Sequence, residues 1–183
     1  MKLILRWVVG SVLLGLAGCN ILPAPQADSV RYFTLNPGAA TPFAADGTTV
    51  RPVQVGGHLR NREMAVRVAE NEVIYLEGVR WAESLGDSIT QLLRARLGSV
   101  GGNSIVIVQV QRCELVRYQG NAVHLLATYS ILAAGEGAVA KRGVFAASPR
   151  TWDGKDYGAL VALLRDGVSE LGEAIAAALP DKK

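Results

Sequence analysis

The chain has 183 residues, of which 50% are hydrophobic and 19% are charged, so it is neither a disordered tail nor a basic nucleic-acid-binding arm. Two of the 19 basic residues, Lys2 and Arg6, lie in a segment that we expect to be removed, which leaves 17 basic residues against 16 acidic ones and argues against binding through a basic face. Aromatic residues make up only 6% of the chain, which argues against a stacking platform for nucleic-acid bases.

The first residues have the three-part layout of a secretory signal. Lys2 and Arg6 precede an apolar run over residues 7–17, which is shorter than the roughly 20 residues that a membrane-spanning helix needs. Residues 16–19, Leu-Ala-Gly-Cys, resemble the lipobox of bacterial lipoproteins, in which the chain is cleaved between Gly18 and Cys19 and lipid is attached to Cys19. We therefore predict a signal peptide over 1–18 and a lipid anchor at Cys19.

The next segment predicts a short tether and then one domain. Residues 19–29 hold the lipidated N-terminus and a stretch with Pro23 and Pro25 but no apolar periodicity, which is typical of an extended linker. Residues 30–183 follow as a single domain. The residue after the lipidated cysteine is Asn20 and not Asp, and by resemblance to enteric sorting signals this implies export to the periplasmic face of the outer membrane.

The first part of the domain predicts short strands. Proline at position 52 is expected at a strand's start or in an edge strand. Glu70 and Glu72 are expected at a hairpin tip, where a charged turn is commoner than a catalytic carboxylate pair. The expected strands cover residues 30–35, 50–55, 64–68 and 73–76.

Apolar residues at helical spacing predict a helix from Leu85 to Leu97, ended by Gly98. Asp87 and Ser88 fall in its first turn, within a Gly-Asp-Ser string that resembles a block of serine esterases over four residues only. An activating base is absent at the spacing that such esterases show, so the helix start is the favoured interpretation.

The second half predicts three strands and a long helix. An apolar run over 104–114, an alternating run over 123–131 and a third over 138–146 are joined by turns at 119–121 and 135–137, and they predict an antiparallel meander. A stripe of apolar residues predicts a helix over 155–179, in which several glycines and alanines permit close packing. The order of elements indicates an α/β domain with one mixed, largely antiparallel sheet and two main helices.

The residues that bind metals or form disulfides are few. His58 and His124 lack the spacing of zinc ligands, and no pattern predicts a metal or a cofactor. Cys113 lies in a strand and is expected to be a buried small hydrophobe, with a reactive thiol as the alternative. His124 is expected on a sheet face.

The segment Arg80-Trp81-Ala82-Glu83 places a cation, a large ring and an anion together before the first helix. Trp and Arg are favoured anchors at protein interfaces, so Arg80, Trp81 and Glu83 are the candidate partner-binding residues. The alternative is that Trp81 fills the core between helix and sheet, with Arg80 and Glu83 as solvated neighbours.

Several of these features together resemble the PqiC-like ABC-type transport auxiliary lipoproteins. They are the lipobox at Cys19, the Arg-Tyr-Phe-Thr-Leu string at 31–35, the Arg-Trp-Ala-Glu-Ser-Leu string at 80–85, the central meander and the terminal helix. Phe33 fills the variable place of the first string, and Ser84 stands where proline is common in the second. The resemblance covers nearly the whole mature chain.

The resemblance implies a three-layer α/β domain similar to anticodon-binding domains, with no catalytic residues and no cofactor. It also implies an envelope protein that works with a Mce-domain protein and an ABC transporter, which move phospholipid or other hydrophobic molecules between the two membranes. A homo-oligomer is compatible with such systems. The alternative function is that of an envelope-structural lipoprotein that regulates an assembly or cell-wall enzyme by contact.

Overall fold

A computed structural model describes residues 29–36, 47–100, 103–133 and 139–180. The predicted signal peptide, Cys19, most of the predicted tether and the predicted turn at 135–137 lie outside the described residues. Within the described ranges, no helix is both long and apolar enough to cross a membrane.

The described residues form one mixed sheet and two α-helices. The strands are β1 (Arg31–Phe33), β2 (Thr49–Val50), β3 (Gln54–Val55), β4 (Glu63–Ala69), β5 (Glu72–Trp81), β6 (Ser104–Val116), β7 (Ala122–Ala133), β8 (Val139–Ala146) and β9 (Arg150–Thr151). The helices are α1 (Leu85–Leu97) and α2 (Tyr157–Ala176), with short 3-10 helices at Gly57–Leu59 and Arg117–Gln119.

The main strands are ordered β1-β5-β4-β6-β7-β8 across the sheet. The hairpin β4-β5 and the meander β6-β7-β8 are antiparallel, as predicted. Strand β1 is parallel to β5, and β4, β2 and β3 are parallel to β6, so the expected mixed and largely antiparallel sheet is confirmed. The short strand β9 pairs with the start of β7.

Pro52 divides the strand that was predicted over 50–55 into β2 and β3. Proline has no N–H to donate to a strand ladder, so pairing is interrupted around it. The neighbouring N–H of Arg51 still donates to the Val106 carbonyl at 3.0 Å, whereas that of Val53 donates to the Thr90 hydroxyl at 2.9 Å. The interrupted strand is thereby fixed to both β6 and α1.

Helix α1 begins and ends where the sequence predicts. The Ser84 hydroxyl accepts a hydrogen bond from the Asp87 N–H at 3.1 Å, which caps one of the N–H groups that a helix start leaves free. Leu85, Ile89, Leu93 and Leu97 are buried along one face.

Helix α2 begins at Tyr157 instead of 155 because Asp156 caps it, and it ends at Ala176 instead of 179. The Asp156 carboxylate accepts hydrogen bonds from the N–H groups of Gly158 and Ala159, both at 3.1 Å. Gly167 is buried against the sheet, and a methyl group there would make an ordinary van der Waals contact, 3.4 Å from the Leu125 Cβ.

The two helices lie side by side on one face of the sheet. The Arg96 guanidinium of α1 lies 2.5 Å from the Glu173 carboxylate of α2, and both helices join a single hydrophobic core with the sheet. The α/β class, the mixed sheet and the two helices are confirmed. We call the face without helices the outer face.

Candidate functional site

The candidate residues Arg80, Trp81 and Glu83 lie where three strands and a helix meet. In the parallel pairing of β1 with β5, Tyr32 is opposite Arg80 and Phe33 is opposite Trp81. The backbone N–H of Trp81 donates to the backbone carbonyl of Arg62 at 2.7 Å, just before β4 begins. The two sequence strings that carried the resemblance, 31–35 and 80–85, are thus neighbours in space. We call Tyr32, Thr34, Arg80, Trp81 and Glu83 the junction.

Trp81 points into the core. Its exposed fraction is 3%, and it belongs to the hydrophobic cluster that both helices share. Because successive side chains of a strand point to opposite faces, burial of Trp81 places Arg80 on the outer face. The ring of Trp81 therefore acts as packing, and only its neighbours can meet a partner directly.

Arg80 and Tyr32 form the exposed part of the junction. The Arg80 side chain is 41% exposed, and its Nε lies 3.4 Å from the Glu63 carboxylate without the geometry of a hydrogen bond. Tyr32 is 54% exposed and is paired with Arg80 in the ladder. A cation and a phenol side by side on a sheet face suit contact with another protein.

Glu83 is engaged within the chain. Its carboxylate accepts hydrogen bonds from the Thr34 hydroxyl at 3.1 Å, the Ser88 hydroxyl at 2.7 Å and the Gln91 side-chain amide at 3.1 Å. The Asn36 side-chain amide donates to Gln91 at 3.1 Å. Glu83 therefore fastens the end of β1 to the first turns of α1.

The Gly-Asp-Ser string lies at the start of α1, as favoured from the sequence. Ser88 is 1% exposed and donates to Glu83, while His58 and His124 lie near Glu114 on other elements. A serine nucleophile requires access to a substrate, which the burial of Ser88 denies it, and neither histidine contacts its hydroxyl in the described residues. In the ranges that the structure covers, no three side chains of His, Cys, Asp or Glu are grouped as metal ligands.

A buried polar cluster around Glu114 was not predicted from the sequence. Glu114 is 1% exposed, and its carboxylate accepts a hydrogen bond from the Arg67 Nε at 2.7 Å and lies 3.0 Å from the His58 Nε2. The three residues come from β6, β4 and the 3-10 helix Gly57–Leu59, far apart in sequence. A single acidic residue in an apolar strand was the only local signal.

Two groups near Glu114 have shifted pKa values. Burial, and secondarily the charge of Glu114, raises the pKa of the Cys113 thiol to about 12. Burial and then the charge of Arg112 lower the pKa of His124, with Glu114 opposing them. Cys113 is buried, as predicted, and such a thiol is unreactive at neutral pH. His124 lies on the outer face of β7, as expected.

The chain is similar to a described family and to solved structures. The family model for the ABC-type transport auxiliary lipoprotein component matches residues 33–176. The crystal structure of protein XCC0632 from Xanthomonas campestris is similar at 20% identity and a TM-score of 0.62, over 82% of this chain and 91% of that one. A crystal structure of an uncharacterized protein is similar at 18% identity and a TM-score of 0.63, over 80% and 95%. No curated protein matches the chain.

Proposed function

The chain belongs to the family of ABC-type transport auxiliary lipoprotein components, and from that premise we propose that it is a membrane-anchored, non-catalytic subunit of an envelope transport system. The partners in this proposal are a periplasmic Mce-domain protein and its ABC transporter. The cargo is phospholipid or another hydrophobic molecule that moves between the inner and outer membranes. The family match over residues 33–176 is the observation that carries the proposal.

The proposed anchor is lipid on Cys19, at the periplasmic face of the outer membrane. The predicted tether leads directly into β1, so the edge of the sheet at β1 is held near the membrane. The eleven residues 20–30 between anchor and strand reach at most about 36 Å, at roughly 3.3 Å each. Stable attachment requires two or more acyl chains, because a single chain binds only marginally.

We infer that the junction is the surface that contacts the partner. Glu83 makes this part of the chain rigid through three hydrogen bonds, and Trp81 fixes it to the core. A rigid surface loses little conformational entropy when it binds. Arg80 and Tyr32 are exposed on that support, next to the anchored edge.

The proposal is tested by affinity purification of the lipoprotein from gently solubilised membranes, followed by mass spectrometry. We expect a Mce-domain protein and transporter subunits to be recovered with the native chain. Replacement Cys19→Ala removes the anchor and should lower this recovery. Recovery of cell-wall enzymes alone, or hydrolysis of a model ester by the purified protein, would exclude the proposed function.

The same purification tests the surface. Arg80→Glu reverses the charge at the junction and should lower recovery of the partner about tenfold or more, which is the range for an arginine anchor. Arg51→Glu makes the same charge change at another exposed arginine and serves as the matched control. Equal recovery with both variants would show that the contact lies elsewhere on the domain.

A further inference from the structure

A small cleft opens on the outer face of the sheet, between the end of β8 and the start of β9. Its volume is about 220 Å³. Leu126 of β7, Ala146 and Pro149 line its apolar part, and Arg112 and the His124 ring complete it. The cleft thus combines an apolar floor with a cationic end.

The cleft exists because the chain leaves β7 for two residues. Ala146 of β8 pairs with Leu126, and the Ala147 N–H still donates to the Leu125 carbonyl at 3.0 Å, whereas residues 148–149 do not pair with β7 before Arg150 of β9 pairs with Val123. Pro149 has no N–H with which to continue the ladder. Glu170 of α2 accepts hydrogen bonds from the Ser148 N–H at 3.3 Å and from the Arg150 guanidinium, which holds the unpaired segment in place. The cleft is therefore a fixed feature of the fold.

The cationic end carries charge that the described chain does not neutralise. Arg112 is half-buried, and it makes no hydrogen bond or ion pair with any residue of the described ranges. Glu114 is the nearest acidic residue along β6, but its carboxylate is already bound by Arg67 and His58. The lowered pKa of His124, caused by burial and then by Arg112, agrees with a positive field at this place.

We propose that this cleft binds a single-chain anionic amphiphile, with the anionic group at Arg112 and the apolar chain along Leu126 and Ala146. A half-buried arginine without a counter-ion is complementary to a carboxylate or a phosphate. The volume is below the roughly 300–1,000 Å³ of pockets that enclose a drug-sized ligand, so the cleft takes one acyl segment and not a whole diacyl lipid. The proposal deepens the proposed function, because it names a lipid class that this subunit would contact.

Photo-crosslinking tests the site on the intact lipoprotein in lipid nanodiscs. The probes are dodecanoic acid with a diazirine in its chain, the corresponding alcohol and the corresponding dodecyl phosphate. We expect an anionic probe to label the peptides around Leu126 and Ala146 about tenfold more than the alcohol, which corresponds to one charge-assisted hydrogen bond. The stronger of the two anionic probes identifies the headgroup as a carboxylate or a phosphate.

Two variants and one control complete the test. Arg112→Gln should make the acid and the alcohol label equally, and Ala146→Trp should fill the cleft and abolish labelling. Arg117→Gln alters an exposed arginine of the same neighbourhood and should change nothing. Thermal unfolding confirms that each variant is folded. If Ala146→Trp does not fold, Arg112→Gln still tests the proposal, because it leaves the apolar lining of the cleft intact.

Equal labelling by all three probes in the native chain, or labelling that survives Ala146→Trp in a folded protein, would overturn the proposal. The labelling experiment contains no transport partner, so absence of labelling would not affect the recovery of a partner that the proposed function predicts. If no partner is recovered in the affinity purification, the labelling expected at the cleft is unchanged.

Discussion

Glu114 is a carboxylate with almost no solvent contact, and the Arg67 guanidinium and the His58 imidazole from two different elements contact it. Burial of a polar group without partners is costly, so Glu114 depends on Arg67 and His58. Because Arg67 is in β4 and His58 is in the 3-10 helix, the cluster fixes both to β6. Loss of the carboxylate would leave Arg67 nearly buried without its partner.

Glu114→Gln should therefore destabilise the fold strongly. Removal of one partner from a buried ion pair costs about 3–5 kcal/mol in the free energy of unfolding. Urea unfolding followed by circular dichroism measures the change. Glu72→Gln, at the exposed hairpin tip, is the control and should change the free energy by less than about 0.5 kcal/mol. A similar small change for both variants would show that the Glu114 cluster does not stabilise the fold.

Cys113 should not react with thiol reagents in the folded protein. With the pKa of its thiol at about 12, it is protonated at neutral pH, and the side chain is 3% exposed. Maleimide labelling followed by mass spectrometry should detect modification of Cys113 only after denaturant is added. Complete labelling at pH 7 under native conditions would contradict this burial.

The same thiol makes stability depend on pH in the alkaline range. Its pKa is raised from 9.0 to about 12, so between these values the folded state holds a proton that the unfolded state has lost. The stabilising contribution is complete below pH 9 and decreases as the pH rises, by about 1.4 kcal/mol per unit. Cys113→Ala should remove this part of the slope in urea unfolding, and identical slopes for both proteins would contradict the assignment.

At the scale of elements, β1 and α1 are fastened together through Glu83. Its three donors come from Thr34 in the segment after β1 and from Ser88 and Gln91 in α1. Strand β1 has only three residues and lies at the sheet's edge, so its own ladder is short. The carboxylate therefore contributes much of the attachment of this edge.

Glu83→Ala should loosen β1 and the start of α1 together. The buried Ser88 hydroxyl would lose its acceptor, at a cost of about 1–3 kcal/mol. Hydrogen exchange measured by mass spectrometry should increase in peptides that cover β1 and the first turn of α1. Glu173→Ala removes the exposed ion pair with Arg96 and should cost about 0–1 kcal/mol without affecting β1. Unchanged exchange in the Glu83 variant would contradict the attachment.

The long elements could be predicted from the sequence, because periodicity within one segment defines them. The spacing of apolar residues predicted the observed bounds of α1, and the alternating runs predicted the meander β6-β7-β8. Strands β2, β3 and β9 have two residues each and no measurable period. The way the two helices pack against each other could not be predicted, since it depends on contacts between distant residues such as Arg96 with Glu173.

The junction could be predicted only in part. Side chains alternate between the two faces of a strand, and this alternation can be read from the local sequence. Once Trp81 is assigned to the core, Arg80 is therefore expected on the outer face. The hydrogen bond from Thr34 to Glu83 joins residues 49 positions apart, and no local pattern indicates it. The Glu114 cluster was missed for the same reason. Whether the junction binds a partner stays a prediction.

At the scale of the whole molecule, the proposed sites lie at opposite edges of the sheet. The tether enters at β1, beside the junction, while the cleft lies near β8. With strands about 4.8 Å apart, the six main strands separate these edges by about 24 Å. One edge would thus lie at the membrane and bind the partner, and the other edge would be accessible to lipid.

Crosslinking at Tyr32 in living cells shows whether the junction docks on a transport partner. Replacement of Tyr32 by the photo-crosslinker p-benzoylphenylalanine changes a side chain that is 54% exposed and paired with Arg80. The same replacement of Tyr118, 44% exposed near the opposite end of β4, is the control. The account predicts a covalent adduct of position 32 with a Mce-domain protein or a transporter subunit, and none at position 118. An adduct of position 32 with a cell-wall enzyme, or transporter adducts at position 118 alone, would contradict it.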